Sequence, residues 1–265
     1  MAEPATVVRR SPLDELRFGV RCAQAAQVTA DRVPSVLSFC HDEGVELCIA
    51  RCSADDLVAA QELEHSGFML TDTLVWYERA LLDLPLPQPL RGSVRIRSVE
   101  PGEEGEVAEL AAAAFRGYAG HYHADPRLDP TLADEVYADW ARRSCTDARV
   151  ADEVLVAELK GRLVGFTSVR LNGADEAEGL LDAVAPEARG VGIFTGLLVE
   201  RLRWSRSHGA ARATVSTQIT NLVAQRTWTK LGYLPAHARY TFHRWFDTVR
   251  DSSSPSRSST TVRTV

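Results

Sequence analysis

Residues Leu180 to Leu198, LLDAVAPEARGVGIFTGLL, hold the strongest chemical signal in the chain. An apolar run ends at Val184, four residues lead on through Pro186, and Arg189-Gly190-Val191-Gly192 opens directly into an amphipathic segment. The pattern predicts a strand, a turn and a helix. The first turn of a helix leaves N–H groups without intrahelical partners, and glycines, lacking Cβ, let a ligand approach them closely. Such a turn binds anions, and a pyrophosphate suits it. Two common nucleotide-binding patterns fail on spacing. A Walker loop needs a lysine after its last glycine, and none follows Gly192; a Rossmann turn needs a third glycine where Thr195 stands.

A second group lies in the segment from Arg116 to Pro126, predicted as a loop. Tyr118 and Tyr122 are candidates for substrate contact, and His121 or His123 for a general base, because imidazole titrates near neutrality. As a metal pair, His121-x-His123 lacks a carboxylate cluster at metal-site spacing, so no metal is expected. Cys40-His41 with Cys48-x-x-x-Cys52 matches no common zinc knuckle, and Cys48 falls in the apolar run Val45 to Ala50. These are read as buried structural thiols. The five cysteines, an odd number without a disulfide framework, are expected to be reduced.

The elements that must position these residues follow from periodicity and punctuation. Residues 1–82 read as a small α/β unit. Met1 to Pro12 is expected to be a loose arm, Leu16 to Val20 and Cys22 to Thr29 extended, Val33 to Asp42 a helix, and Val45 to Ala50 a strand. Ala54 to His65 reads as a helix stopped by Gly67, and Phe68 to Leu82 as a long strand. Residues 83–92, with three prolines, read as a stiff linker. Beyond it come a strand (Val94 to Val99), helices over Glu103 to Phe115 and Leu132 to Arg143, and a hairpin turning at Lys160-Gly161. The glycine turn and its helix follow, then a strand (Ala213 to Thr217), a helix (Asn221 to Leu231) and a last strand (Arg239 to Phe246). Residues 248–265, rich in Ser, Thr and Arg, are expected to be disordered. Asp56 to Phe68 aligns without gaps on Asn221 to Tyr233, each a helix, a glycine stop and a strand, which suggests an internal duplication.

Arg189-x-x-Gly192-x-Phe194 resembles the Gln/Arg-x-x-Gly-x-Gly/Ala acyl-CoA pattern of the GNAT N-acetyltransferases. Phe194 departs from it, standing where a small residue is usual. The order of elements also matches the GNAT fold, a mixed, mostly antiparallel sheet flanked by helices, here preceded by a smaller degenerate GNAT-like half-domain. Val215-x-Thr217-Gln218-x-x-Asn221-x-x-Ala224, the Gly232-aromatic step and the ending His243-x-Trp245-Phe246 resemble the dTDP-fucosamine acetyltransferase branch, as does Phe18-Gly19-Val20 near the start. The resemblance implies a catalytic domain over residues 93–247 that takes acetyl-CoA, or another acyl-CoA, as co-substrate. Backbone groups of Asp182, Ala183 and Val184 would bind the pantetheine arm. The amides of Arg189, Gly190, Val191, Gly192, Ile193, Phe194 and Thr195 would hold the pyrophosphate, and the Asn221 side chain would add a contact. In the family a tyrosine seven residues after the asparagine is the general acid. Trp228 holds that position, and an indole N–H donates a hydrogen bond without releasing a proton. Ser216 stands where ribosomal-type N-terminal acetyltransferases carry a glutamate base, which lowers that alternative.

The implied reaction is acyl transfer to a primary amine of a small molecule, foremost a nucleotide-linked amino sugar. Alternatives are a non-catalytic acyl-CoA sensor or scaffold, or an enzyme acylating an antibiotic, a polyamine or a peptide amine. A net charge of −6 argues against nucleic acid as partner. Met1 to Leu16 is polar and broken by prolines, and no apolar run nears membrane length, so the expectation is a cytoplasmic chain without a membrane partner. Pairing with a second copy as a homodimer is left open.

Overall fold

Alternation of apolar and polar residues along Met69–Ala80 and Leu234–Trp245 makes two twelve-residue strands that pair antiparallel at the centre of one sheet. The computed structural model describes residues 7–82, 85 and 94–246. Its strands are β1 (Val8–Arg10), β2 (Cys22–Ala25), β3 (Leu47–Ser53), β4 (Met69–Ala80), β5 (Val94–Ser98), β6 (Glu153–Leu159), β7 (Arg162–Asn172), β8 (Glu176–Val184), β9 (Arg212–Gln218) and β10 (Leu234–Trp245). Its helices are α1 (Pro12–Phe18), α2 (Val33–Asp42), α3 (Leu57–His65), α4 (Glu104–Ala114), α5 (Pro130–Thr146), α6 (Ile193–Ser207) and α7 (Leu222–Lys230).

The sheet runs β1-β2-β3-β10-β4-β9-β8-β7-β6-β5, antiparallel except for β2 with β3 and β8 with β9. The order is close to symmetric about the β4–β10 pair, with a parallel pair on either side. Each half contains a strand, a helix and a final strand: β3-α3-β4 and β9-α7-β10. The final strands are exchanged. β4 lies against β9, from Leu74↔Gln218 to Ala80↔Arg212, and β10 lies against β3, from Arg239↔Ser53 to Trp245↔Leu47.

Packing follows strand alternation. Phe166 of β7 clusters with Val107, Leu110 and Ala111 of α4, while a Cβ on the adjacent Gly165 would come within 3.0 Å of Leu197 on α6. Neighbouring strand residues point to opposite faces, so α4 and α6 cover opposite sides of the sheet. The half formed by β2, β3, α2 and α3 has a core of its own, in which Cys40, Cys48 and Cys52 are buried. All five cysteines are free.

Most expected elements lie where periodicity put them, and α2 spans the predicted residues. Two N-terminal expectations fail. Leu16 to Phe18 is helical because Pro12 occupies the first turn of α1, with Asp14 and Glu15 beside it, and Gly19 ends the helix at φ 68°. Its apolar alternation does not mark a buried face, since Leu16 is 86% exposed. Val8–Arg10, expected in a loose arm, pairs with β2 from Val8↔Ala25 to Arg10↔Ala23. The expected linker, apart from Pro85, and the expected disordered tail lie outside the described residues.

Candidate functional site

β8 and β9 pair from Glu176↔Arg212 to Gly179↔Val215 and then part. β8 continues along β7 as far as Gly165↔Val184, while β9 continues along β4 as far as Leu74↔Gln218. Past Gly179 the facing backbone edges of both strands have lost their ladder partner. Two local features accompany the separation. The register of β7 on β8 shifts between Thr167 and Val169, where the Ser168 hydroxyl takes the N–H of Leu181 at 3.1 Å, and such bulges bend a strand. Arg201 of α6, 2% exposed, reaches the strand at Gly179 and pairs through Nη1 with Asp182 at 2.6 Å and Thr167 at 2.9 Å. Burial disfavours its charge most strongly, but Asp182 and Tyr233 together outweigh that and its pKa is raised. The Asp182 side chain is therefore structural, and the group left for a ligand at this position is its backbone.

A cleft of about 590 Å³ opens at the parting. Leu180 and Asp182 line it from β8, Ser216 and Thr217 from β9, Phe194 from α6, and Trp228 from α7. The glycine turn lies at the start of α6. Gly190 and Gly192 have φ 82° and 87°, conformations in which a side chain is strained, and the first helical bond runs from Gly196 N–H to the Gly192 carbonyl. The amides of Ile193, Phe194 and Thr195 precede that bond and are free of the helix ladder. Arg189 to Gly192 are exposed, outside the cleft lining, and Ala183 and Val184 are buried. The Arg189 side chain donates to the carbonyls of Val184 at 3.2 Å and Ala114 at 3.0 Å, fastening the turn to β8 and to the end of α4. Phe194 packs in the wall between two core clusters without filling the cleft.

Asn221 caps α7, its Oδ1 accepting from the Ala224 N–H at 3.3 Å. Its Nδ2 donates to Thr217 Oγ1 at 2.9 Å and to the Tyr118 hydroxyl at 3.4 Å. Tyr118 also donates to Gln218 Oε1 and is held edge-on by Phe115 and Tyr137. Burial raises its pKa. The loop residue predicted for substrate and the helix cap predicted for cofactor thus meet in one hydrogen-bonded group. Trp228 is 3% exposed, packs against Tyr77 at 5.6 Å between ring centroids, and leaves its Nε1 buried without a hydrogen-bond partner among the described residues.

The two candidate bases separate. His123 does not line the cleft; its Nε2 lies 2.9 Å from Asp134. His121 lines the cleft at the end of a buried chain. Asp125 Oδ2 lies 2.7 Å from His243 Nδ1, His243 Nε2 lies 2.9 Å from His121 Nδ1, and His121 Nε2 lies 3.3 Å from Arg51 Nη2. With the carboxylate fixing a proton on His243 Nδ1, neutral rings place a proton on His121 Nδ1 and a lone pair on its Nε2 toward Arg51. Burial first, then Arg51 and His243, push the His121 pKa well below the ordinary value. Tyr122 lines the cleft and donates to Asp14 at 2.8 Å. Periodicity gave no sign of the N-terminal contribution to this cleft: Arg9, Arg10, Asp14, Arg17 and Arg51 all line it. Among the described residues no group of three or more His, Cys, Asp or Glu side chains is arranged to hold a metal, and no helix is long and apolar enough to cross a membrane.

Residues 106–233 match the model of the acetyltransferase (GNAT) family. The chain is 24% identical over 204 residues to the spore coat polysaccharide biosynthesis protein SpsD of Bacillus subtilis (strain 168), covering 76% of this chain and 67% of that protein. It is 30% identical over 157 residues to a mycothiol acetyltransferase of Amycolatopsis mediterranei (strain U-32), covering 56% of this chain but only 48% of that relative, so the chain spans about half its length. Among solved structures, a GCN5-related N-acetyltransferase from Sphaerobacter thermophilus superposes with a TM-score of 0.64 at 16% identity, covering 90% of this chain and 76% of that one. A tandem GNAT protein from the clavulanic acid biosynthesis pathway gives a TM-score of 0.59 at 14% identity, covering 86% and 76%. At such identities the structural likeness establishes the fold, which is the GNAT fold expected from the order of elements.

Proposed function

We propose that the chain, whose residues 106–233 match the GNAT acetyltransferase family model, transfers an acyl group, acetyl foremost, from acyl-CoA to a primary amine of a nucleotide-linked amino sugar such as a dTDP-linked 4-amino sugar. The observation that supports this most directly is the parting of β8 from β9 beyond Gly179 and Val215, beside a helix that begins on two glycines of positive φ. Unpaired strand edges suit the amides of a pantetheine arm, and the first-turn amides of α6 suit a pyrophosphate. Similarity to SpsD, a spore coat polysaccharide biosynthesis protein, favours a sugar acceptor.

Acyl-CoA supplies an activated carbonyl. The chain's part is to hold that carbonyl against backbone N–H groups of β8, each such donor contributing about 2.7–4 kcal/mol in comparable sites. The amine nitrogen attacks the thioester carbon, the C–S bond breaks, and the sulfur leaves as thiolate, the ordinary thiol pKa being about 8.5. Trp228 occupies the family's acid position, and its buried Nε1–H supplies no proton to that sulfur. His121 does not act as the base in this reading, because its lone pair accepts from Arg51. The acceptor amine loses its proton to water in the cleft. We read residues 1–82 as a degenerate copy of the catalytic half, on the strength of the gap-free repeat and the exchanged final strands.

The test is thiol release from acetyl-CoA with a panel of nucleotide amino sugars, plain amino sugars, polyamines and peptides, alongside thermal shift with acetyl-CoA alone. Acetyl-CoA at about 100 times its Kd should add about 2.7 kcal/mol of stability. Stabilisation without turnover on any amine would replace the enzyme reading with an acyl-CoA sensor, the alternative that Trp228 favours.

A further inference from the structure

Arg51 is a cation whose hydrogen-bond partners, Thr241 and His121, are both neutral. It projects from β3, in the N-terminal half, into the cleft wall. Its Nε donates to Thr241 Oγ1 at 3.3 Å and its Nη2 to the lone pair of His121 Nε2 at 3.3 Å. Neither partner carries charge, and among the described residues no carboxylate lies within 4.0 Å of the guanidinium, Asp72 and Asp14 acting on it only from farther away. Burying a charge in this way is costly unless a counter-ion arrives. The Asp125–His243–His121 chain orients Arg51 through an imidazole nitrogen, leaving its charge unneutralised.

The surroundings repeat the pattern. Asp14, the nearby buried carboxylate of the cleft, is engaged by three neutral donors, Ser11, Gln24 and Tyr122, rather than by an arginine. Arg17 and Arg143 share a single carboxylate oxygen of Asp139, at 2.9 and 3.0 Å, so together they retain one uncompensated charge. In a chain of net charge −6, this wall of the cleft is locally positive.

We infer that Arg51 receives an anionic phosphoryl or diphosphate group carried by the amine acceptor. The guanidinium presents planar N–H donors matched to phosphate oxygens, and low local polarity strengthens the contact. The assignment rests on the acyltransferase reading for the identity of the ligand as acceptor, but the anion site itself does not.

Inorganic pyrophosphate is the probe, titrated by calorimetry into the full chain saturated with acetyl-CoA so that the site at the start of α6 is filled. The wild type is expected to bind it, Arg51→Met at least tenfold more weakly, and Arg51→Lys at an intermediate level, with acetyl-CoA affinity within about twofold in all three. In the wild type, pyrophosphate should inhibit acetyl transfer competitively against the amine and not against acetyl-CoA, a measurement that needs no variant to fold. Equal pyrophosphate binding by wild type and Arg51→Met would overturn the site. So would inhibition competitive with acetyl-CoA, or a matching loss of acetyl-CoA affinity, because Arg51 would then serve the coenzyme. Pyrophosphate binding that depends on Arg51 in a chain that acetylates no amine would keep the anion site and sink the transferase reading.

Discussion

A Cβ built on Gly179 would stand 2.3 Å from Cζ of Arg201, so the guanidinium occupies the volume that any other residue type would need. Arg201 cannot swing aside cheaply, being fully buried and bound to Asp182 and Thr167. Gly179→Ala is therefore expected to cost about 1–3 kcal/mol of folding stability by overpacking. It should also weaken acetyl-CoA binding by at least tenfold, because β8 is displaced where it leaves β9. Urea denaturation and calorimetry measure the two effects, and a variant unchanged in both would show that the contact positions nothing.

Removing the cation should be worse than crowding it. Arg201→Met leaves Asp182, 14% exposed, beside an apolar side chain, with an expected loss of about 3–5 kcal/mol. The double variant Arg201→Met, Asp182→Leu should recover much of that loss. Additive single effects in the double-mutant cycle would deny the coupling.

At the glycine turn, Gly192→Glu adds an anion to a backbone position at φ 87°. Strain of about 1–2 kcal/mol and repulsion of the coenzyme's phosphates combine there. The expected result is loss of measurable acetyl-CoA binding with circular dichroism retained. Retained affinity would remove the pyrophosphate from the start of α6.

Trp228→Phe deletes an N–H that has no partner among the described residues while keeping an aromatic ring against Tyr77. We expect kcat to fall less than about tenfold, with the KM for acetyl-CoA unchanged, since a thiolate leaves without full proton transfer. A fall of a hundredfold or more would make the indole N–H a principal catalytic donor.

The native chain resists protonating His121, whose pKa burial, Arg51 and His243 hold well below the usual 6.5. The unfolded chain takes up that proton near pH 6.5, so below this pH the unfolded state binds more protons than the native one. Stability must therefore fall with falling pH, with a limiting slope of about 1.4 kcal/mol per pH unit for this group. His121→Gln should flatten the dependence between pH 6.5 and 5, as read from urea midpoints. Parallel curves for variant and wild type would mean that the native ring ionises.

The C-terminal half was legible because its signals are local. The glycine turn, the hairpin at Lys160-Gly161 and the Asn221 cap each depend on residues close in sequence, and all three fall within a residue or two of their expected places. What escaped depends on distant pairing. Nothing local in β4 reveals that its partner is β9, nor in β3 that its partner is β10. His121 and His123, two residues apart, are equivalent candidates in the loop sequence. Only the tertiary chain through His243 and Asp125 sends one into the cleft and the other toward Asp134. Arg51 gave no signal at all, because its meaning lies in distant hydrogen-bond partners, Thr241 and His121, that carry no charge.

The crossing of the two closing strands has a bearing on how this protein can be handled. Scission between residues 82 and 94 would separate two fragments, each missing the ribbon that seals its partner: β9 would lose β4, and β3 would lose β10. Neither fragment is suited to stand as an expression unit by itself. Mixed together they are expected to act as a split pair, whose reassembly would rebuild the cleft and report itself as recovered activity.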